Sequence, residues 1–127
     1  MTKPVKLSPI ILGPLRTDLL KAGGIVLADG DVGFSIRAQK HAMARHAADY
    51  ADCLVNLPEA VATPTHVGQS PHHPEGFELV RDTGGIIVLV AVLLIPNADG
   101  LYAATSTYTL KRDTLERRIR KGHLIIA

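Results

Sequence analysis

IIVLVAVLLI, residues 86–95, is ten apolar residues in a row with no polar alternation, and its reading decides the fold. A run this short is about half of what a helix needs to cross a bilayer. It is the length of a strand covered on both faces. PNADG, residues 96–100, ends the run, and LYAATSTYTL, residues 101–110, follows with the Thr and Tyr content of a strand. So short a connection predicts antiparallel pairing of the two. Upstream, Phe77 to Arg81 predicts a third strand, separated from the apolar run by the turn-forming residues Asp82 to Gly85. These strands form a meander.

Working outward, Met43, Ala47, Tyr50, Leu54 and Leu57 recur at intervals of three and four, which predicts a helix from Arg37 to about Leu57 with those five toward the core. Ser35 is placed to cap its start, and Pro58 disfavours helical backbone in the residue before it. Gly24 to Ala28, then Asp29-Gly30, then Val32 to Ile36 predicts a hairpin, because Asp-Gly tolerates positive φ. Pro4, Pro9 and Pro14 leave no room for a regular helix before Pro14, so residues 1–23 are expected to be an extended arm and residues 24–127 a single α+β domain. Residues 59–76 carry Pro64, Pro71 and Pro74 and predict a loop with one brief strand around His66 to Gln69. A last short helix is expected through Lys121, capped by Thr114 and stopped by Gly122. The expected fold is α+β: a helical N-terminal region on a small antiparallel sheet of about four strands, with a short C-terminal helix.

The 127 residues suffice for one core, and 46% hydrophobic with 20% charged residues excludes a disordered or coiled-coil chain. One cysteine, Cys53, excludes an intramolecular disulfide and a Cys-rich zinc site, and suits a reducing, cytoplasmic setting. No signal peptide opens the chain, so no membrane association is expected. The net charge of +2 names no partner by itself. Its distribution is more informative. Lys111, Arg112, Arg117, Arg118, Arg120 and Lys121 stand against Asp113 and Glu116, giving residues 111–123 a charge of +4 and the rest of the chain −2. A local patch of that kind suits a polyanion, because fixed cations release the counterions condensed on a phosphate backbone.

Candidate chemistry gathers in KHAMARH, residues 40–46, and in STYTLK, residues 106–111. His41 and Arg45 lie one helical turn apart, close enough for the arginine to hold a phosphate beside the imidazole. On the predicted helix His46 falls at the flank of the apolar stripe, where packing can position it. Period two places Tyr102, Ala104, Ser106, Tyr108 and Leu110 on one face of their strand, so Ser106 and Tyr108 point the same way. A hydroxyl and a phenol beside an imidazole can orient a phosphate, and Lys111 can neutralise developing charge. His66, His72 and His73, with Glu75 as their nearest carboxylate, fit no standard zinc spacing, so no metal is assigned to them. GIVLADGDVG lacks the Lys and Ser/Thr of a phosphate-binding loop, and no cofactor is implied.

The order of elements from KHAMARHAADYADCLVNLPEAV through ELV, IIVLVAVLLI and LYAATSTYTLK resembles phage-associated members of the barnase, EndoU, colicin and RelE-like nuclease superfamily. The resemblance covers roughly Arg37 to Leu124. It implies N-terminal helices on a four-stranded antiparallel sheet; a break near Asp49 or Asn56 would divide the long helix into the usual pair. It also implies a toxin or phage effector that cleaves RNA, tRNA included, without metal. The implied catalytic residues are His41, His46, Ser106, Tyr108 and Lys111. Arg45 and the basic segment of Arg112, Arg117, Arg118, Arg120 and Lys121 would hold phosphates, and an antitoxin, an immunity protein or a second copy would be the protein partner. The competing expectation is a nonenzymatic RNA-binding or antitoxin-like module built on the same basic segment.

Overall fold

The run that decided the meander is central in the fold. In the computed structural model, which describes residues 6–127, β5 (Ile87–Leu93) is flanked by β4 (Gly76–Asp82) and β6 (Tyr102–Thr109), both antiparallel to it. Its residues Val88, Val90 and Val92 enter one hydrophobic core while Leu89 enters a second on the opposite face. That two-sided burial is why the run shows no alternation.

Four shorter strands extend the meander at both edges. They are β1 (Ile10–Pro14), β2 (Asp31–Phe34), β3 (His66–Gly68) and β7 (Leu124–Ile126). Among the described residues the strand order is β1-β2-β6-β5-β4-β3-β7, and β2 runs parallel to β6, so the sheet has seven strands and is mixed. This corrects the expected sheet of about four antiparallel strands closed by a short terminal helix. The described residues form four helices, α1 (Thr17–Ala22), α2 (Ile36–Arg45), α3 (Tyr50–Ala62) and α4 (Arg112–Arg120), and the chain continues past α4 into β7. Of the added strands, β2 and β3 fall on stretches expected to be extended, Val32 to Ile36 and His66 to Gln69, while β1 and β7, of five and three residues, are too short for alternation to be readable. They form because an existing sheet edge offers them backbone partners. At Gly68 an added Cβ would come within 1.9 Å of the His123 carbonyl oxygen, so glycine lets the end of β3 and the start of β7 approach.

Of the expected extended arm, residues 1–5 lie outside the described residues, whereas residues 10–22 form β1 and α1 and bury Leu12, Leu15 and Leu20. Gly13, at φ +119°, sits where the register of β1 against β2 shifts. The expected hairpin of residues 24–36 is absent. Its second half pairs with β1 instead, and Gly24 to Gly30 form a connection held in part by the Tyr102 hydroxyl, which donates to the Ala28 carbonyl at 2.7 Å.

The expected single helix is two. Ser35 does cap α2, accepting from the Ala38 amide at 3.1 Å. The helix then breaks after Arg45 and resumes at Tyr50, which resets its phase. Met43 is 41% exposed and Leu54 37%, and Ala47 is exposed too, whereas Ala42, Cys53, Leu57, Ala60 and Val61 are buried. Pro58 does not end α3, because burial of Ala60 and Val61 beyond it offsets the lost backbone hydrogen bond.

Helices α1, α2 and α3 contribute to the core on one face of the sheet. On the other, α4 packs Leu115 over Val80, Ile87, Leu89 and Leu124. Its N-cap is Lys111, not Thr114. Arg112 clamps its start to Asp82 with both guanidinium nitrogens, Nη2 to Oδ1 at 2.9 Å. This pairing, with the Gly84 amide at 2.9 Å, holds the Asp82 carboxyl down at about 2. A depressed carboxyl stabilises the fold above its unfolded value and ceases to as pH falls through its folded value. Asp82→Asn is therefore expected to lower the melting temperature by a few degrees at neutral pH. The gap to the parent should close as the pH is taken from about 4 to about 2, followed by circular dichroism.

Candidate active site

Helix α4 covers only part of its face. Beyond it, the registers Glu78↔Ala91 and Ala91↔Ser106 place three side chains in one row across β4, β5 and β6. The middle one is an alanine, and the space it leaves is the floor of a cavity of about 330 Å³. Ser106 and Tyr108 reach this face through a bulge. Ala91 pairs with Ser106 and Val92 with Ala104, so Thr105 is the extra residue. Tyr102 and Ala104 therefore enter the main core while Ser106 and Tyr108 face the cavity, which corrects the single face expected for Tyr102 through Leu110.

One wall comes from α2. Parallel pairing of β2 with β6 stops after two residues, Val32 with Tyr102 and Gly33 with Ala103, and the chain turns into α2, which packs against β6. His41, Arg45 and His46 from this helix line the cavity. His46 is its C-cap, half-buried, with its ring stacked on that of Tyr108 at a centroid separation of 5.0 Å and an interplanar angle of 30°. The break that follows is tied to the sheet by Asp49. Its Oδ2 accepts from the Thr109 hydroxyl at 2.6 Å and from the Thr109 amide at 2.9 Å. Thr109 follows Tyr108 in β6, so the strand that supplies the phenol also fixes the hinge that carries the imidazole.

The opposite wall is the loop before β4. His73 and Glu75 line it, with His73 Nδ1 3.4 Å from Glu75 Oε1, and Ser70 lies nearby. At the floor, buried Glu78 pairs with Arg118 of α4. Burial pushes the Tyr108 phenol above its ordinary value; Glu78 adds to the rise and Arg118 opposes it. The phenol is then a hydrogen-bond donor at neutral pH and not a base. Thr109 hydrogen bonds pull the Asp49 carboxyl below its ordinary value against the cost of burial, so it is an anion. The pocket thus offers three imidazoles, one guanidinium, three hydroxyl groups, a phenol and two carboxylates, and its imidazoles, guanidinium and hydroxyls are suited to proton transfer and to binding a phosphate.

Of the expected catalytic residues, His41, His46, Ser106 and Tyr108 share the cavity. Lys111 does not line it; it is exposed at the N-cap of α4. Arg45 is the cation at the cavity. Within the basic segment, Arg112 and Arg118 are engaged with Asp82 and Glu78, while Arg117, Arg120 and Lys121 are exposed. Burial lowers the His66 imidazole, whose Nδ1 meets the Thr65 hydroxyl at 2.8 Å, and His72 is exposed. Among the described residues, no group of three or more His, Cys, Asp and Glu side chains is placed to hold a metal ion, and no helix is long and apolar enough to cross a membrane. His73, Glu75 and Glu78 were not singled out from the sequence as site residues. The signal for Glu78 is a carboxylate between the apolar residues Phe77 and Leu79 inside a strand.

Asp49→Ala is expected to cost about 2 kcal/mol of stability, since it removes two hydrogen bonds to an anion. The parent's advantage should persist above the ordinary carboxylate range and fade as pH falls through it and below, because this carboxyl is depressed in the fold. Denaturant titrations at several pH values read this directly.

No protein-family model matches the chain, and comparison with curated proteins and with solved structures gives no match. The chemistry of the cavity is therefore argued from its own geometry.

Proposed function

We propose that the chain is an endoribonuclease that cleaves by internal attack of the ribose 2′-hydroxyl, without needing a metal ion. The observation that carries this is the His46 ring stacked on Tyr108 in a cavity that also holds His41, Arg45 and Ser106. In the reaction, one of the His46 and His41 imidazoles takes the 2′-hydroxyl proton and the oxygen forms a bond to the adjacent phosphorus. The bond from phosphorus to the 5′-oxygen breaks, and the other imidazole protonates that leaving oxygen. The products are a 2′,3′-cyclic phosphate and a free 5′-hydroxyl.

Imidazole suits both duties because it titrates near neutrality. Arg45 supplies the fixed positive charge against which the phosphorane develops. Tyr108, kept protonated, donates a hydrogen bond to a non-bridging oxygen, and its stacked ring holds His46 in place. Ser106, next to it on the same face, adds a second hydroxyl donor.

The proposal extends to the resemblance to phage-associated nucleases of the barnase, EndoU, colicin and RelE-like superfamily, with a toxin or effector role in the cytoplasm. Its support is a helix pair that presents a histidine to hydroxyls on a late strand of a meander. Strands β1 and β2 on one side and β3 and β7 on the other extend that unit.

Incubated with total RNA in excess EDTA, the protein is expected to produce fragments ending in 2′,3′-cyclic phosphate while leaving DNA intact. His46→Ala should lower the rate by about 10²- to 10⁴-fold. Tyr108→Phe, which keeps the stack and removes the donor, should lower it about 10²-fold. RNA that is bound but left whole would favour the binding-module alternative, and cleavage only on addition of a divalent metal would refute the mechanism.

A further inference from the structure

The cavity at His46 is not isolated along α2. A second, shallower cavity of about 240 Å³ lies on its N-terminal side, lined by Ser35, Arg37, Ala38 and His41 from the helix side and by Ala103, Ala104 and Thr105 from β6. His41 and Thr105 line both cavities, so the two join into one trough between α2 and the edge of β6 that β2 leaves uncovered.

The charge along this trough has a period. Arg37, His41 and Arg45 are spaced by four residues, which puts all three on one face of α2 at intervals of about 6 Å along its axis. All three are exposed, and none makes an ion pair among the described residues. The helix carries Lys40 as well and no carboxylate from Ile36 to Arg45. A surface helix with no carboxylate of its own, facing a trough whose Glu75 and Glu78 already meet His73 and Arg118, is poorly explained by fold stability. Its repeat is comparable to the separation of neighbouring phosphates on an unstacked strand.

We infer that the trough binds single-stranded RNA running along α2, with Arg37 gripping the phosphate one nucleotide away from the one that His41 and Arg45 hold at the cleavage cavity. This rests on the proposed ribonuclease function and adds to it a substrate form and a second phosphate subsite. Duplex RNA does not meet the geometry. A 330 Å³ recess between a helix and a sheet edge admits a splayed nucleotide, whereas a paired one stays inside its stack. Arg37 is a binding residue here and takes no part in the proton transfers.

The test separates binding from cleavage by using a short 2′-fluoro RNA, which lacks the attacking hydroxyl, as a fluorescent probe. The parent protein should bind the single strand more tightly than the same sequence as a duplex. Arg37→Gln should weaken single-strand binding about tenfold and reduce the slope of log affinity against log salt by about 0.7, the contribution of one phosphate contact on a single strand. Lys21→Gln, which removes an exposed cation on α1 that lines neither cavity, should leave both unchanged. With a cleavable strand, Arg37→Gln should raise KM and spare kcat. Binding and salt slope equal to the parent, in an Arg37→Gln protein with the parent's melting temperature, would overturn the inference, as would a duplex bound as tightly as the strand. Arg37-dependent binding without any cleavage would overturn the ribonuclease function and leave this site standing. Cleavage that ignores Arg37 would do the reverse.

Discussion

Asp49 holds the structure to its candidate chemistry. Its carboxylate accepts both the amide and the hydroxyl of Thr109, and so stitches the break between α2 and α3 to the last residue of β6. Without that link the break would be a loose connection, because the Asp49 side chain makes no hydrogen bond that caps α3. With it, His46 ends α2 directly over Tyr108, one residue before the anchor. The arrangement is economical in chain length: a single strand delivers the phenol, the hydroxyl of Ser106 and the anchor for the imidazole.

A second constraint works from the sheet side. The bulge at Thr105 changes which residues of β6 face which layer, and allows one strand to serve a buried core at Tyr102 and Ala104 and a polar cavity at Ser106 and Tyr108. A regular strand would have put Tyr102 and Tyr108 on the same side. It would have exposed one or buried the other among apolar side chains. The small Ala91 completes the device, since a larger residue in the middle of the row Glu78, Ala91, Ser106 would fill the floor.

The parts of the fold that were legible in the sequence are those with strong local signals. The apolar run 86–95 and the Thr- and Tyr-rich run 101–110 are long enough to declare a meander, and Ser35 is a cap readable from residue type. What escaped was decided by tertiary contacts. The brief strand expected around His66 to Gln69 is β3, but a strand such as LII carries no periodicity of its own and exists because a neighbouring edge binds it. The break at residues 46–49, near Asp49 where the resemblance allowed one, carries no local signal, since its alanines are helix-compatible and a stripe through Met43 and Leu54 continues across it. In the fold the stripe belongs to two helices with different phases, and its residues Met43 and Leu54 are left partly exposed. For the site, His41, His46, Ser106 and Tyr108 were found through residue chemistry, while His73 and Glu75 came from a loop whose path residue types do not specify.

Charge makes the same point about the limits of a one-dimensional pattern. The densest cluster of cations is the terminal segment, yet Arg112 and Arg118 of α4 each neutralise a carboxylate of β4. Their work there is to fasten the helix across the sheet, and a guanidinium held by an aspartate or a glutamate has little left for a phosphate. The cations of α2 are fewer and more widely spaced along the chain, but the helix aligns Arg37, His41 and Arg45 on one side and meets no carboxylate within its own length. Field strength at a cleft follows from such alignment beside low-dielectric walls more than from the number of like charges in a row of sequence. The one arginine at the cavity, Arg45, therefore comes from the helix that builds its wall and not from the terminal cluster.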